Sequence, residues 1–258
     1  MKAGLNLFSV RHALKTEEDF LKTALRLKEM GYDYLQFSGA PFDAPMIARV
    51  VEASGMPVYL THVPMERILT DTDKLMEEHA SFGCYNIGLG AMPSRVIADE
   101  ALCKKTIADL NAAGERMAQK GFRFFYHHHN YEFFKHGGQT VFDYMIENAP
   151  YINFTVDTYW LQYGGVDVAE MLAKLKGRIA CVHLKDYGMA CKAREDGGFN
   201  YEPVFAPVGD GTINFKKAVQ AALESGAEYF FVEQDNAPEF DDPFAQVQAS
   251  IDYIKKEL

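Results

Sequence analysis

The sequence predicts a single-domain (β/α)8 barrel spanning residues 1–258. Three observations carry that prediction. Eight short apolar segments alternate with stretches of helical period, glycines recur between a helical run and the strand after it, and no shift of composition marks a boundary. The length is close to the roughly 250 residues typical of this architecture. Strands are expected at Ala3–Val10, Tyr32–Ser38, Pro57–His62, Tyr85–Leu89, Arg123–His129, Ile152–Asp157, Ile179–Lys185 and Tyr229–Glu233. Most are short and rich in Val, Ile, Phe and Tyr, as strands covered on both faces should be. Helical period is clear in Thr16–Met30, where Phe20, Ala24, Leu27 and Met30 share one face and Glu17, Glu18, Lys22 and Lys28 fall largely on the other. Asp99–Lys120 is the longest such run and Phe215–Ser225 a short late one. Gly31, Gly55, Gly83, Gly121 and Gly226 follow helical runs, the place of a C-cap glycine. Two long connections, Val63–Lys74 and Met189–Gly211, follow strand C-termini and are expected to be lids or binding loops. An open doubly wound sheet is the competitor, but no GxGxxG follows the first strand.

Charge and cysteine usage exclude several functions. The net charge is -10, and no basic run exceeds two residues. A nucleic-acid partner, which must displace phosphate counterions with clustered lysine and arginine, is therefore not expected. No stretch approaches the roughly 18 apolar residues of a membrane helix, and Met1–Asn6 reads as a strand beginning at once rather than as a signal peptide. Cys84, Cys103, Cys181 and Cys191 form no zinc spacing and read as reduced thiols. A cytoplasmic protein with a small-molecule carbohydrate substrate is expected, homo-oligomerisation being left open.

Polar residues collect where the late strands end: Tyr126-His127-His128-His129-Asn130-Tyr131-Glu132, Val156-Asp157-Thr158-Tyr159-Trp160, Val182-His183-Leu184-Lys185-Asp186 and Val232-Glu233-Gln234-Asp235. An unpaired carboxylate buried in a barrel costs several kcal/mol and needs a cation or strong donor. Glu132, Asp157, His183 and Glu233 come from four consecutive strands and suit one divalent ion. Mn2+ is the first expectation, and Mg2+, Co2+ and Zn2+ also suit the donors.

These strings, with Pro207-Val208-Gly209-Asp210-Gly211, resemble the xylose isomerase-like TIM barrel superfamily, and more narrowly its bacterial sugar phosphate isomerase/epimerase branch. The resemblance runs over the whole chain and is densest from residue 121 onward. It implies metal ligation by Asp157, His183 and Glu233. In ketose epimerases a glutamate stands about where His127 falls here; Glu132 is taken as the fifth-strand ligand, with His127 or His129 beside the substrate or, alternatively, on the metal. His128 should point out of the barrel by strand alternation.

Such a centre would polarise a substrate carbonyl and stabilise an enediolate while a carboxylate takes the α-proton. Glu233 and Glu132 are the expected opposed carboxylates, with His129 and Lys185 as further catalytic groups and His62, His127 and Trp160 on the substrate. Lys185 is read either as a substrate donor or as an ion pair with Asp186 or Asp235. Asn6 and Gln36 are weaker candidates for the interior. Gly209-Asp210-Gly211 reads as a tight turn rather than a phosphate cradle, so an unphosphorylated sugar, keto-sugar or inositol derivative fits at least as well as a phosphate ester. The expected activity is isomerisation or epimerisation. The alternative is a lyase of the inosose dehydratase type, which would change the product's mass. A barrel nuclease would need histidines after the second and third strands, yet Ser38-Gly39 end strand two and His62 alone serves strand three. A non-catalytic binding barrel would not need the ligand set.

Overall fold

Eight parallel strands close into a barrel in the computed structural model, which describes residues 1–258. They are β1 (Gly4–Asn6), β2 (Tyr34–Phe37), β3 (Val58–His62), β4 (Asn86–Leu89), β5 (Arg123–His127), β6 (Ile152–Asp157), β7 (Cys181–Leu184) and β8 (Tyr229–Val232). Each pairs with its sequence neighbours, and β1 pairs with both β2 and β8 to shut the cylinder. All eight predicted strands are present. The first is shorter than expected, because Leu7–Ala13 winds into a 3-10 helix as soon as Asn6 leaves the sheet, with the Asn6 side chain capping Phe8 N–H.

Helices cover the outside. Glu17–Glu29 is capped by Thr16, Glu100–Gln119 by Asp99 and Phe215–Glu224 by Asn214, each side chain accepting from a first-turn N–H. Such a cap is worth about 1 kcal/mol. Gly55 ends its helix at φ +64, the left-handed conformation in which a side chain would be strained. The apolar helix faces and outward strand residues form one buried cluster of 63 residues. Inside the barrel lies a separate plug of Tyr34, Leu60, Phe125, Ala180, Cys181 and Phe231. It fills the lower barrel, so the inward residues of the layer above form a floor rather than a pore.

Both long connections are more ordered than expected. Within 63–74 lie one helix, Met65–Thr70, and the start of another, Thr72–Ala80. The connection after β7 is an antiparallel hairpin pairing Asp186–Ala193 with Phe199–Ala206, its outer residues largely exposed on both strands.

Candidate metal centre and pocket

The inward residues at the strand ends are Asn6, Gln36, His62, His127, Asp157, His183 and Glu233, with only glycine, Gly88 and Gly90, at the end of β4. Ligand atoms of His127, Asp157, His183 and Glu233 lie within 4.8 Å of one another, and all four residues are buried. The register explains part of this, since Asp157 on β6 lies level with His183 on β7. Asp157 is aimed by its own backbone: it caps the next helix, its Oδ1 accepting from Trp160 N–H at 3.0 Å, which turns Oδ2 into the barrel. Glu233 is held by Asn6, whose Nδ2 donates to Oε1 at 2.7 Å; the Ser38 hydroxyl donates in turn to Asn6 Oδ1.

The two imidazoles are oriented from behind. His183 Nε2–H donates to Gln36 Oε1 at 2.7 Å, and the Gln36 amide donates to His62 Nε2 at 3.0 Å. His127 Nδ1–H donates to the Gly90 carbonyl at 3.2 Å. Each ring therefore spends one nitrogen on an outer acceptor and turns the other toward carboxylates: His127 Nε2 is 3.3 Å from Asp157 Oδ2, and His183 Nδ1 is 2.8 Å from Glu233 Oε2. That last pair is close yet not aligned as a hydrogen bond, so both atoms are buried without a partner. Imidazole lone pairs facing carboxylate oxygens repel unless a proton or a metal ion lies between them. Outer acceptors that fix the tautomer and leave the inner nitrogen free are characteristic of metal-binding histidines. The donor set fits a divalent ion.

Without such an ion, the charges compensate one another. Burial works against a charge on His183, but the Glu233 and Asp157 carboxylates outweigh it and raise its pKa to about 9. Burial likewise opposes ionisation of Asp157 and Glu233, yet Lys185 and His183 hold both well in the carboxylate form. Lys185 is wholly buried. Its charge survives burial through Glu233, Asp157 and Asp235, its ammonium bonding Asp235 Oδ2 at 2.8 Å. Of the two readings of Lys185, the ion pair is therefore formed, and with Asp235 rather than Asp186. Burial, reinforced by the charges of His183 and Lys185 nearby, keeps His62, His127 and His129 neutral at physiological pH, holding His62 at about 3 and His129 at about 4.

Above the four ligand candidates opens a cavity of about 320 Å³, lined by Phe8, Ser38, Gly39, Gly90 and Ala91 as well as His62, His127, His129, Lys185, Glu233 and Asp235. Four residues expected beside the substrate, His62, His127, His129 and Lys185, line it. Two expectations need correction. Glu132 does not join Asp157, His183 and Glu233; the fifth-strand member is His127. The chain turns into a short 3-10 helix at Tyr131–Phe133, and the Glu132 carboxylate folds back under β5, taking the Tyr126 hydroxyl at 2.5 Å and His129 N–H at 2.7 Å. Burial raises its pKa to about 7. Trp160 is not on the cavity wall: it stands behind Lys185 and His129, its ring 5.0 Å from Lys185 Nζ. His128 points out of the barrel as alternation requires, buried against Phe142 and accepting from Asp157 N–H. Asn6 and Gln36 do reach the interior, as supports for Glu233 and His183. Asp235, two residues beyond Glu233 on the same side, was visible earlier only as a partner for Lys185.

Residues 24–257 match the profile of the xylose isomerase-like TIM barrel family. An inosose dehydratase of Geobacillus thermodenitrificans is 34% identical over 161 residues, covering 58% of this chain and 53% of that protein. The match thus spans about half the relative's length. An inosose dehydratase of Clostridium perfringens is 26% identical over 286 aligned positions, covering 98% of this chain and 86% of the relative. Among solved structures, a sugar phosphate isomerase/epimerase from Parabacteroides distasonis has a TM-score of 0.81 at 21% identity, covering 99% of this chain and 94% of its own. The structure of an L-ribulose 3-epimerase gives 0.69 at 16% identity, with coverage of 99% and 94%. These likenesses establish the fold. On the profile match over nearly its whole length, this chain belongs to the xylose isomerase-like TIM barrel family.

Proposed function

We propose that this protein is a divalent-metal-dependent isomerase or epimerase that removes a proton beside the carbonyl of a small polyhydroxy ketone. The observation that carries the reading is the floor of the cavity, where two imidazoles and two carboxylates turn donor atoms toward one point. His127, Asp157, His183 and Glu233 would hold the ion, with Mn2+ the first candidate. Bound there, it would supply Lewis-acid polarisation of a carbonyl and neutralisation of developing enediolate charge. The chain's own residues do the rest. Lys185, held charged and pointing at the pocket, offers an ammonium donor to a substrate oxygen. His62 accepts from Gln36 through Nε2, which leaves Nδ1–H as a donor toward the cavity. Asp235 spends Oδ2 on Lys185 and keeps Oδ1 buried without a partner, a basic oxygen at the cavity rim.

With Glu132 withdrawn, both pocket carboxylates outside Asp157 come from the end of β8, and neutral His127 and His129 face them. Proton removal is therefore assigned to the β8 side, where the carboxylate that takes the proton becomes the acid that returns it, and neutral His129 is left to orient a substrate oxygen. Lys185 is the lining's single ammonium and stands beside the Glu233 and Asp235 carboxylates, too little positive charge for a phosphate dianion, so an unphosphorylated substrate is the better fit.

A second reading is elimination of a β-hydroxyl from the same enediolate. The inosose dehydratase relatives favour it, as does the one-sided placement of the carboxylates. One experiment separates the two. Protein loaded with Mn2+ in D2O is incubated with ketoses, keto-sugars and inososes, and products are followed by NMR and mass spectrometry. Deuterium at an α-carbon with no loss of water supports the isomerase; loss of one water supports the dehydratase. Protein that holds no metal, or exchange that persists in Asp157→Ala, would sink both.

A further inference from the structure

Asp186 has no part in the pocket, yet its carboxylate is one of the most heavily bonded groups in the protein. It accepts four backbone N–H groups: Tyr187 at 2.8 Å, Gly209 and Gly211 at 3.0 Å each, and Ile213 at 3.2 Å. The residue is buried. The turn it gathers is built for the purpose. A Cβ on Gly211 would lie 2.3 Å from both Asp186 Oδ1 and the Tyr187 carbonyl, and Gly209 adopts φ +97. These bonds tie the two ends of the β7 hairpin together, where Asp186 pairs with Ala206 and Tyr187 with Phe205.

Phe205 is where this scaffold reaches the site. Its ring lies 4.9 Å from Lys185 Nζ, and the Trp160 ring lies 5.0 Å from the same atom. The two rings are 6.2 Å apart, and Tyr159 packs on Phe205 at 4.8 Å. Asn236, just past β8, donates to the Phe205 carbonyl. The buried ammonium is thus seated between two aromatic faces, which attract a cation. One of those faces is delivered by a hairpin whose base depends on a single carboxylate.

We propose that Asp186 is a positioning residue: through four backbone bonds it locks the base of the hairpin, so that Phe205 closes the aromatic seat of Lys185. It touches neither substrate nor metal. A consequence for turnover rests on the proposed activity; the seating of Phe205 against Trp160 does not, and it can be read without a substrate.

Trp160 is the chain's single tryptophan, so its fluorescence reports on this seat alone. Asp186→Asn keeps the shape but turns an N–H2 toward backbone donors. In purified protein with Mg2+, we expect Asp186→Asn to red-shift Trp160 emission and to raise its acrylamide quenching constant about twofold, as local opening exposes the ring. Phe205→Ala should do the same, and the double variant should add little to either, since both act on one contact. Asp210→Asn, at an exposed neighbour in the same turn, should leave emission unchanged. Metal affinity should be the same in all of them. Should Asp186→Asn fail to fold, Gly211→Ala perturbs the same bonds from the other side and should give the same optical change. The proposal is overturned if Asp186→Asn, or Gly211→Ala in its place, folds with the parent's emission and quenching while Phe205→Ala alters them. It is overturned equally if the Asp186 and Phe205 effects simply add. If instead the optical changes appear but no substrate turns over, the positioning role stands and the proposed activity fails.

Discussion

Replacing Glu132 by Gln separates a ligand from a support. In the parent, burial raises the Glu132 pKa from 4.5 to about 7, so the folded state prefers the neutral acid. That preference stabilises the fold fully below pH 4.5 and is lost as the pH rises through 7, because the unfolded chain ionises freely while the folded one resists. At 1.36 kcal/mol for each tenfold change in proton affinity, the loss amounts to about 3 kcal/mol. Glutamine copies the neutral acid: its oxygen can accept from His129 N–H and its amide can donate to the Tyr126 hydroxyl. Glu132→Gln should therefore match the parent near pH 4.5 and become progressively more stable above it, the gap levelling at about 3 kcal/mol beyond pH 7.5. Guanidinium unfolding of both proteins at a series of pH values, with chelator present, measures the gap. Calorimetric titration with Mn2+ supplies the second arm. Glu132→Gln should bind the ion as the parent does, whereas His127→Ala should lose at least about a hundredfold in affinity. A hundredfold loss in Glu132→Gln, with no stability gap growing with pH, would refute the assignment of His127 in place of Glu132.

Three further outcomes follow from the same geometry. Gln36→Leu removes the acceptor behind His183 Nε2 and should weaken Mn2+ binding about 10- to 100-fold, measured by the same titration. Added Mn2+ should raise the melting temperature of chelator-treated protein in a concentration-dependent way, worth about 2.7 kcal/mol at a hundred times Kd, and Asp157→Ala should abolish the response. Lys185→Met strips the buried cation from Asp157, Glu233 and Asp235. In chelator-treated protein it should cost about 3–5 kcal/mol by denaturant unfolding.

The barrel was readable because its evidence is repetitive: eight apolar runs alternate with stretches of helical period, five of which end at a glycine. Asp157, His183 and Glu233 were readable for a related reason, since a charged residue at the end of a buried strand has few places to go. The fifth strand was harder. Alternation puts His127 and His129 on one face, but the direction of the chain after His129 decides whether Glu132 returns to the pocket. A 3-10 turn sends it beneath the strand instead, and no local pattern announces that turn. The hairpin was hidden because both its faces are exposed, which erases the alternation that marks a half-buried strand. Lys185 and Asp235 follow different strands and stand fifty residues apart, so the choice between Asp186 and Asp235 as the partner of Lys185 is settled only once β7 and β8 are neighbours. Asp186 and the Gly209-Asp210-Gly211 turn are likewise separate strings in sequence and one bonded unit in space.

The end of β4 has a different kind of consequence. Where its neighbours bring side chains to the ring of strand ends, it brings Gly88 and Gly90, and the cavity wall on that side is finished by Gly90 and Ala91. A methyl group on Gly90 would come within 3.1 Å of His62 Nδ1. Space in the cavity is therefore created by atoms that are missing, on the side of the ring opposite Glu233 and away from most of the four candidate ligands. Selection acting at one or two small residues could resize the chamber by a methyl at a time while the cluster of imidazoles and carboxylates beneath it stayed as it was. A scaffold divided in this way can acquire new substrates without having to reinvent its reaction.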